Sequence, residues 1–243
     1  MMHSFYIEPP ESGMAALPAD EAKHAARVLR LQPGDAVCAM DGAGSRWRAE
    51  IAEIGAGGAK VRLIEPLASN EAPVRVTVYQ GVPKADKLDF IVQKLTELGA
   101  AALVPVKMER CVAKPDAKDG AKRRERLERI AQEAAKQCGR ALPPRISEPL
   151  SWREALADLA GRGLVLVPWE EARGARMRDV LAEMPGAADI GVVIGPEGGM
   201  TADEVAAMAE LGARTVTLGP RILRTETASV VAAALAMQLW GDL

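Results

Sequence analysis

The sequence predicts an α/β protein in which a small β-barrel precedes a larger domain built on a parallel sheet. Residues 190–194 form an uncharged run rich in β-branched residues, which is typical of a central strand covered on both faces. A glycine-proline loop and a helix follow this run, and residues 215–218 lead into a second glycine-proline loop in the same way. Residues 1–70 instead alternate between short apolar runs and turn signals, which favours a barrel.

A strand, a helix and a second strand open the larger domain. Residues 74–80 alternate as a strand, apolar residues recur at helical spacing from Leu88 to Leu98, and Gly99 ends the helix. The strand pattern returns at residues 103–106. This order predicts a βαβ unit with a right-handed crossover, which is the building block of a parallel sheet.

Helices and strands continue to alternate in the rest of the larger domain. Ser151 and Thr201 each precede a glutamate by three residues, which is the capping-box pattern of a helix start. Trp169 follows a predicted strand and could cover a ligand or close the edge of the core, and the second interpretation is favoured. The remaining predicted elements are a basic helix near 118–138, a strand at 163–167, an apolar helix at 177–184 and a final helix from about Thr225.

The N-terminal region contains one helix among its β segments. Asp20 is a good N-cap for this helix, and we expect apolar residues such as Val28 to face the barrel. Residues 67–73 follow Pro66, contain Ser69 and Asn70 and end at Pro73, which predicts a linker. The two domains are therefore expected to span residues 1–70 and 74–243.

Composition excludes several classes of protein. The 243 residues carry a formal net charge of −2, so any surface for nucleic acid must be a local patch. Cys38, Cys111 and Cys138 are odd in number and lack metal-ligand spacing, and no signal-peptide pattern is present, which favours the reducing cytoplasm. No apolar run is long enough to span a bilayer, and with only His3 and His24 we expect no histidine-based metal site.

The two late glycine-proline loops are candidates for a binding site. In open α/β sheets, ligands bind at the carboxyl edge of the strands, where both loops are expected to lie. Glycine lets the backbone approach a ligand closely, and Pro196 and Pro220 restrict the loops. A tight turn that binds nothing has the same composition. The second loop adds a fixed cation, Arg224, and a carboxylate, Glu226, although a glutamate here also stabilises a helix N-terminus.

These loops carry a resemblance to a known family. Ile194-Gly195-Pro196-Glu197-Gly198-Gly199 and the segment from Leu218 to Ala228, in this order, resemble the signature loops of the RsmE family of 16S rRNA methyltransferases. That family belongs to the SPOUT superfamily. The resemblance implies a C-terminal α/β domain tied in a trefoil knot, which binds S-adenosyl-L-methionine and forms a homodimer, and an N-terminal PUA-like barrel that recognises RNA.

The resemblance also implies a reaction, the methylation of N3 of a uridine in 16S rRNA of the small ribosomal subunit. Because uracil N3 bears a weakly acidic proton, the enzyme must remove it or stabilise the anion. Glu226 is the candidate base, and Arg224 is the candidate cation for the developing charge. The residues expected to bind the cofactor are Val167, Ile194, Gly195, Pro196, Glu197, Gly198, Leu218, Gly219, Ile222, Leu223, Thr227 and Ala228.

Basic residues cluster in three places that are candidates for RNA contacts. Helical spacing puts the basic residues of the N-terminal helix on one face, the loop at 83–87 carries two lysines, and residues 107–145 are the most basic part of the chain. A solvated surface explains such charge equally well. With the resemblance, the expected RNA-binding residues are His24, Arg27, Arg30, Lys84, Lys87, Arg110, Arg123, Arg124 and Arg140.

Other functions remain open from the sequence. A related SPOUT enzyme could methylate the ribose 2′-hydroxyl or another base, and a non-catalytic ribosome assembly factor could keep the fold. A nucleotide-dependent α/β enzyme is disfavoured, because no strand is followed by GxGxxG or GxxxxGK[ST].

Overall fold

A computed structural model describes residues 2–84, 86–112, 117–183, 186 and 188–243. Residue 85 of the predicted lysine loop and residue 184 of the predicted helix at 177–184 lie outside the described residues. The chain divides into two compact units. The first comprises Met1–Glu71 and Gln132–Pro143, and the second comprises Ala72–Ala131 and Pro144–Leu243.

The first unit is built on a five-stranded sheet of order β1-β3-β4-β5-β2. β1 and β3 are parallel, and the other pairs are antiparallel. The amide of Glu8, just after β1, donates to the carbonyl of Ala16 in β2 at 2.9 Å, which links the two edges of the sheet as expected of a barrel. The strands are β1 His3–Tyr6, β2 Met14–Ala16, β3 Ala36–Met40, β4 Arg46–Gly55 and β5 Gly58–Pro66.

The N-terminal helix differs in detail from the prediction. α1 spans Ala19–Arg27, so Asp20 lies in the first turn and is not the N-cap. Val28 follows the helix and is 66% exposed, so its predicted burial against the barrel is wrong. Arg30 lies beyond the helix end with a φ of 55°, so it does not share a helical face with Arg27. The helix therefore ends earlier than the spacing of the apolar residues suggested.

Within the first unit, buried ion pairs join residues 132–143 to the N-terminal part of the chain. Lys136 Nζ lies 2.6 Å from Glu21 Oε1, and Arg140 Nη2 lies 2.7 Å from Glu71 Oε2. Arg140 is only 5% exposed. The structure therefore corrects the prediction that Arg140 contacts RNA, because its guanidinium binds an internal carboxylate and is shielded from a phosphate.

The second unit is built on a seven-stranded sheet in which β9 pairs with β7 beside the main order β12-β10-β11-β6-β7-β8. All of its strand pairs are parallel. The strands are β6 Arg75–Gly81, β7 Ala102–Lys107, β8 Arg145–Ile146, β9 Leu150–Ser151, β10 Leu164–Pro168, β11 Asp189–Ile194 and β12 Arg214–Val216. The helices are α2 Lys87–Glu97, α4 Trp152–Leu159, α5 Met177–Glu183, α6 Ala202–Glu210 and α7 Thr225–Trp240. α3 Ala117–Cys138 belongs to this unit up to Ala131 and to the first unit from Gln132.

Two apolar clusters cover the two faces of this sheet. On one face, side chains of α2, α5 and α7, such as Ile91, Val180 and Ala233, pack on β6, β10 and β11. On the other face, α4 and α6 contribute Leu159 and Met208. Both predicted capping boxes are present, at the starts of α4 and α6. The predicted parallel α/β sheet is therefore confirmed, and the threading of a knot stays a prediction.

No helix within the described ranges is both long and apolar enough to cross a membrane. The same residues contain no group of three or more histidine, cysteine, aspartate or glutamate side chains that could hold a metal ion.

Candidate functional site

A cavity of about 760 Å³ lies at the carboxyl edge of the sheet in the second unit. It is bounded by the segments that follow β10, β11 and β12 and by the start of α7. The two late glycine-proline loops therefore meet in one site. The lining residues are Lys87, Pro168, Trp169, Glu170, Ala172, Arg173, Arg176, Ile194, Gly195, Pro196, Glu197, Gly199, Thr217, Leu218, Gly219, Pro220, Arg221, Ile222, Leu223, Arg224, Thr225 and Ala228.

A buried polar network joins the two loops. The hydroxyl of Thr225, at the start of α7, donates to the carbonyl of Gly195 at 2.6 Å. The side-chain amide of Gln80, at the end of β6, donates to Thr225 Oγ1 at 2.8 Å and to the Gly81 carbonyl at 2.9 Å. The Ser229 hydroxyl donates to Gln80 Oε1. Because Gln80 and Ser229 are fully buried, this network fixes the loops with little freedom.

Glycines allow the close approach of backbone that the site requires. A Cβ placed on Gly81 would lie 2.6 Å from both Cδ and N of Pro196, so only glycine fits beneath the first loop. Gly199 has a φ of +72° and lies against the Glu170 carboxylate. The loop geometry thus depends on backbone contacts that a larger side chain would break.

A lysine and two glutamates form an ion cluster at the edge of the cavity. Lys87 Nζ lies 3.0 Å from Glu197 Oε1 and 3.2 Å from Glu226 Oε2. Its hydrogen bond to Glu197 is the main reason that the pKa of Lys87 is raised. Partial burial acts to raise the pKa of Glu197, but hydrogen bonds from its own amide, from Lys87 and from the Lys84 amide hold it below its usual range. The first loop is thereby anchored to α2.

Most predicted cofactor residues line the cavity, and four residues predicted for the site do not. Val167 packs in the core cluster under α4 and α6, and Gly198 packs against Arg110. Thr227 is exposed on α7, and the Glu226 carboxylate is held by Lys87 beside the cavity. The predicted residues that do line it are Ile194, Gly195, Pro196, Glu197, Leu218, Gly219, Ile222, Leu223, Arg224 and Ala228.

The basic residues predicted to contact RNA have diverse surroundings. In the first unit, the side chains of His24, Arg27 and Arg30 are exposed. In the second unit, Arg110 Nη1 donates to the Gly198 carbonyl at 3.2 Å, so it supports the first loop.

The other predicted RNA contacts in the second unit also vary. The exposed Lys84 donates its amide to Glu197 at 3.0 Å, and Lys87 lines the cavity. Arg124 is paired with Glu128 at 3.3 Å, and Arg123 is half-buried. Of these two neighbouring residues of α3, Arg124 would have to leave its ion pair with Glu128 to bind a phosphate, whereas Arg123 is restricted by its partial burial.

Several lining residues were missed from the sequence. Trp169 packs against the core, as the favoured interpretation predicted, and it also lines the cavity with Glu170, Arg173 and Arg176 of the same segment. An available signal was their position directly after a predicted buried strand, where ligands gather. Gln80 gave a second signal for this edge of the sheet, because it is an uncharged polar residue near the carboxyl end of β6.

Comparison with known proteins agrees with this geometry. The family model of an RNA methyltransferase domain matches residues 70–237, and that of an RNA methyltransferase PUA domain matches residues 17–64. The fold, the loop-lined cavity and these matches define an RNA methyltransferase of the SPOUT type with an N-terminal PUA domain. Apart from the knot, which stays a prediction, the predicted fold class is thus confirmed.

Individual relatives narrow the class. "Ribosomal RNA small subunit methyltransferase E" of Bacillus subtilis is 34% identical over 95% of this chain and 94% of its own. The protein of the same name from Mycobacterium bovis is 35% identical over 94% of this chain and 88% of its own. A solved structure of that enzyme from Neisseria gonorrhoeae, bound to S-adenosyl methionine, matches with a TM-score of 0.88, 32% identity and all of both chains. The chain belongs to the ribosomal RNA small subunit methyltransferase E family.

Proposed function

We propose that this protein transfers a methyl group from S-adenosyl-L-methionine to N3 of a uridine in 16S rRNA. One observation of the chain itself carries the proposal. The two loops that resemble the family's signature are locked together by Thr225 and Gly195 and line one cavity. The Neisseria gonorrhoeae relative, which binds S-adenosyl methionine, supports the choice of cofactor.

The cavity fits an adenosyl cofactor in size and chemistry. A volume of about 760 Å³ lies within the usual range of small-molecule sites, about 300–1,000 Å³. Ile194, Leu218 and Leu223 offer apolar surface for the adenine, while Gly195 and Gly219 expose backbone groups. Glu170 supplies a carboxylate on the lining that suits an ammonium group. We propose that these residues hold the cofactor.

The rigidity of the loops suits methyl transfer. When bound, the cofactor supplies a methyl group activated by a sulfonium, and the nucleophile must approach it in line. Correct positioning can contribute up to about 7–11 kcal/mol to lowering such a barrier. The network of Gln80, Thr225 and Ser229 and the anchoring of Glu197 by Lys87 hold the loops in one arrangement, so positioning is built into the fold.

The proton on uracil N3 sets the second requirement. Arg224 is exposed, lines the cavity and has no ion pair among the described residues, so its guanidinium is free to stabilise negative charge on the uracil carbonyl oxygens. Glu226 remains the proposed proton acceptor. Its carboxylate lies next to the cavity, and the Lys87 ammonium fixes its position.

RNA binding and dimerisation complete the proposal. The exposed His24, Arg27 and Arg30 are proposed to contact rRNA from the barrel. α7 is largely apolar, and Leu239 remains 41% exposed, so we propose that a second copy of the chain covers this helix. An rRNA substrate also puts the proposed site of action in the cytoplasm.

Single-turnover methylation of 16S rRNA tests the catalytic assignment. We expect Arg224→Ala to reduce the rate about 10²-fold or more, as for loss of one preorganised charge-stabilising group, with cofactor affinity within about threefold of the wild type. Arg214→Ala, which removes an exposed arginine of β12 outside the cavity lining, is the matched control. An unchanged rate for Arg224→Ala with normal cofactor binding removes this residue from the mechanism.

A further inference from the structure

The side chains that line the cavity carry more positive than negative charge. Among the described residues, two carboxylates line it, Glu170 and Glu197, and Glu197 is already paired with Lys87. That leaves one lining carboxylate to balance several guanidinium groups, all of them exposed. The arginines that line the cavity without an ion pair among the described residues are Arg173, Arg176, Arg221 and Arg224.

These arginines lie on two segments that are joined by backbone hydrogen bonds. Arg173 and Arg176 precede α5, and Arg221 and Arg224 precede α7. Thr217, just after β12, accepts a hydrogen bond from the Met177 amide and donates its own amide to the Ala175 carbonyl, both at 3.1 Å.

A further hydrogen bond strengthens this attachment. The Trp169 amide donates to the Val216 carbonyl at 3.1 Å. In addition, Arg173 Nη1 donates to the Glu170 carbonyl at 3.2 Å, which restrains that side chain. Backbone hydrogen bonds therefore hold the segments of both arginine pairs at the same cavity.

The cofactor alone does not account for this charge. S-adenosyl-L-methionine carries a sulfonium, an ammonium and one carboxylate, so it is itself a net cation. One guanidinium suffices for its carboxylate. The remaining arginines are more than this cation requires, and their charge suits an anionic molecule that shares the site.

We propose that Arg173 and Arg176 bind phosphate groups of the RNA strand next to the target uridine. This inference rests on the proposed function, because it takes RNA as the second substrate of the same cavity. The planar guanidinium suits this task, since it can donate two parallel hydrogen bonds to one phosphate. Both arginines lie outside the two glycine-proline loops, so they form an additional element of substrate recognition.

Salt-dependent binding measurements test the proposal. The double variant Arg173→Gln/Arg176→Gln and the wild type are titrated with 16S rRNA and with small ribosomal subunits at several salt concentrations. We expect the double variant to bind at least one of these about tenfold or more weakly near 0.15 M salt. The slope of log K against log salt should become shallower by about 0.7–0.9 for each phosphate that the protein no longer neutralises.

A matched control and a second readout make the test specific. Arg178→Gln removes an exposed arginine of α5 that is paired with Asp179 at 3.3 Å and does not line the cavity, so its slope should equal that of the wild type. Cofactor binding, measured by calorimetry without RNA, should stay within about twofold in the double variant. RNA slopes equal to the control with both RNAs, or loss of cofactor affinity alone, would overturn the proposal.

The binding measurement also separates this inference from the proposed function. RNA binding is measured without methyl transfer, so a reduced slope supports the phosphate site even if N3 of uridine proves to be the wrong target. Conversely, methylation at N3 with an unchanged slope leaves the function intact and removes these two arginines from RNA binding.

Discussion

The hydroxyl of Thr225 donates a hydrogen bond to the carbonyl of Gly195 at 2.6 Å, across 30 residues of sequence. This bond joins the first residue of one cavity-lining loop to the first residue of the final helix. The Gln80 amide donates to the same hydroxyl, so Thr225 acts as both donor and acceptor in a buried network. The two loops therefore form a single structural unit.

Removal of this hydroxyl should weaken both the fold and the cofactor site. Thr225→Val keeps the shape but leaves the Gly195 carbonyl and the Gln80 amide without this partner, at a cost of about 1–3 kcal/mol. We expect a lower midpoint of denaturation and an affinity for S-adenosyl-L-methionine reduced about tenfold, measured by calorimetry. Thr215→Val, at an exposed position of β12, is the control and should change neither. Normal affinity in the Thr225 variant would show that the network does not shape the site.

Gly81 should tolerate no side chain. In Gly81→Ala the new Cβ would lie 2.6 Å from the Pro196 ring and backbone, so the first loop must shift. Overpacking of this kind costs about 1–3 kcal/mol, and we expect cofactor affinity to fall at least tenfold. Gly174→Ala is the matched control, because its Cβ would meet no atom within 4 Å. Equal cofactor affinities of the two variants would refute the role assigned to this contact.

The ion pair of Lys87 and Glu197 should make a pH-dependent contribution to stability. The pKa of Glu197 is lowered from 4.5, so its contribution is complete above that pH and is lost as pH falls through the lowered pKa. The pKa of Lys87 is raised from 10.5, so its contribution is complete below that pH and is lost as pH rises through the raised pKa. The stabilisation therefore spans the range between the two ordinary values.

Thermal unfolding of Glu197→Gln tests this window. We expect its midpoint to lie about 1–3 °C below that of the wild type from about pH 5 to pH 10, and the two to converge in stronger acid. Glu183→Gln, which removes a weak exposed pair with Arg214 at 3.9 Å, should match the wild type throughout. A difference that persists unchanged after the pH has fallen through the lowered pKa of Glu197 would contradict an ionic origin.

Two tyrosines offer a paired test of buried polar groups. The Tyr79 hydroxyl donates to Asp158 and accepts a hydrogen bond from Arg162 Nε at 2.7 Å. Tyr79→Phe should cost about 1–3 kcal/mol, because it leaves polar partners unsatisfied. The Tyr6 hydroxyl is buried without a hydrogen-bond partner among the described residues, so Tyr6→Phe should be neutral or stabilising. Chemical denaturation measures both, and equal costs would contradict this interpretation.

Local signals predicted much of the second unit. The apolar face from Leu88 to Leu95 is buried in α2, and the capping boxes at Ser151 and Thr201 begin helices where the sequence indicated. These features depend on residues close in sequence, so short-range patterns suffice to find them. The positions of the two late loops at the carboxyl edge follow from the parallel order of the strands.

Long-range contacts were beyond the sequence patterns. Arg140 looked like other basic residues of its segment, yet Glu71, distant in sequence, buries it. The sequence around Gly81 gave no sign of its contact with Pro196. Likewise, the sequence around Arg173 did not show that this segment is hydrogen-bonded to Thr217. Such facts follow from how the sheet brings separate loops together, which depends on the whole topology.

Nucleoside analysis of methylated RNA tests the proposed reaction most directly. The protein is incubated with unmodified 16S rRNA or small subunits and S-adenosyl-L-methionine carrying a labelled methyl group, and the RNA is digested and analysed by mass spectrometry. We expect the label to appear in 3-methyluridine, and to appear there about 10²-fold or more slowly in the Arg224→Ala variant. Label in a 2′-O-methylated nucleoside, or no label with either substrate while the cofactor binds, would contradict methyl transfer to N3 of uridine.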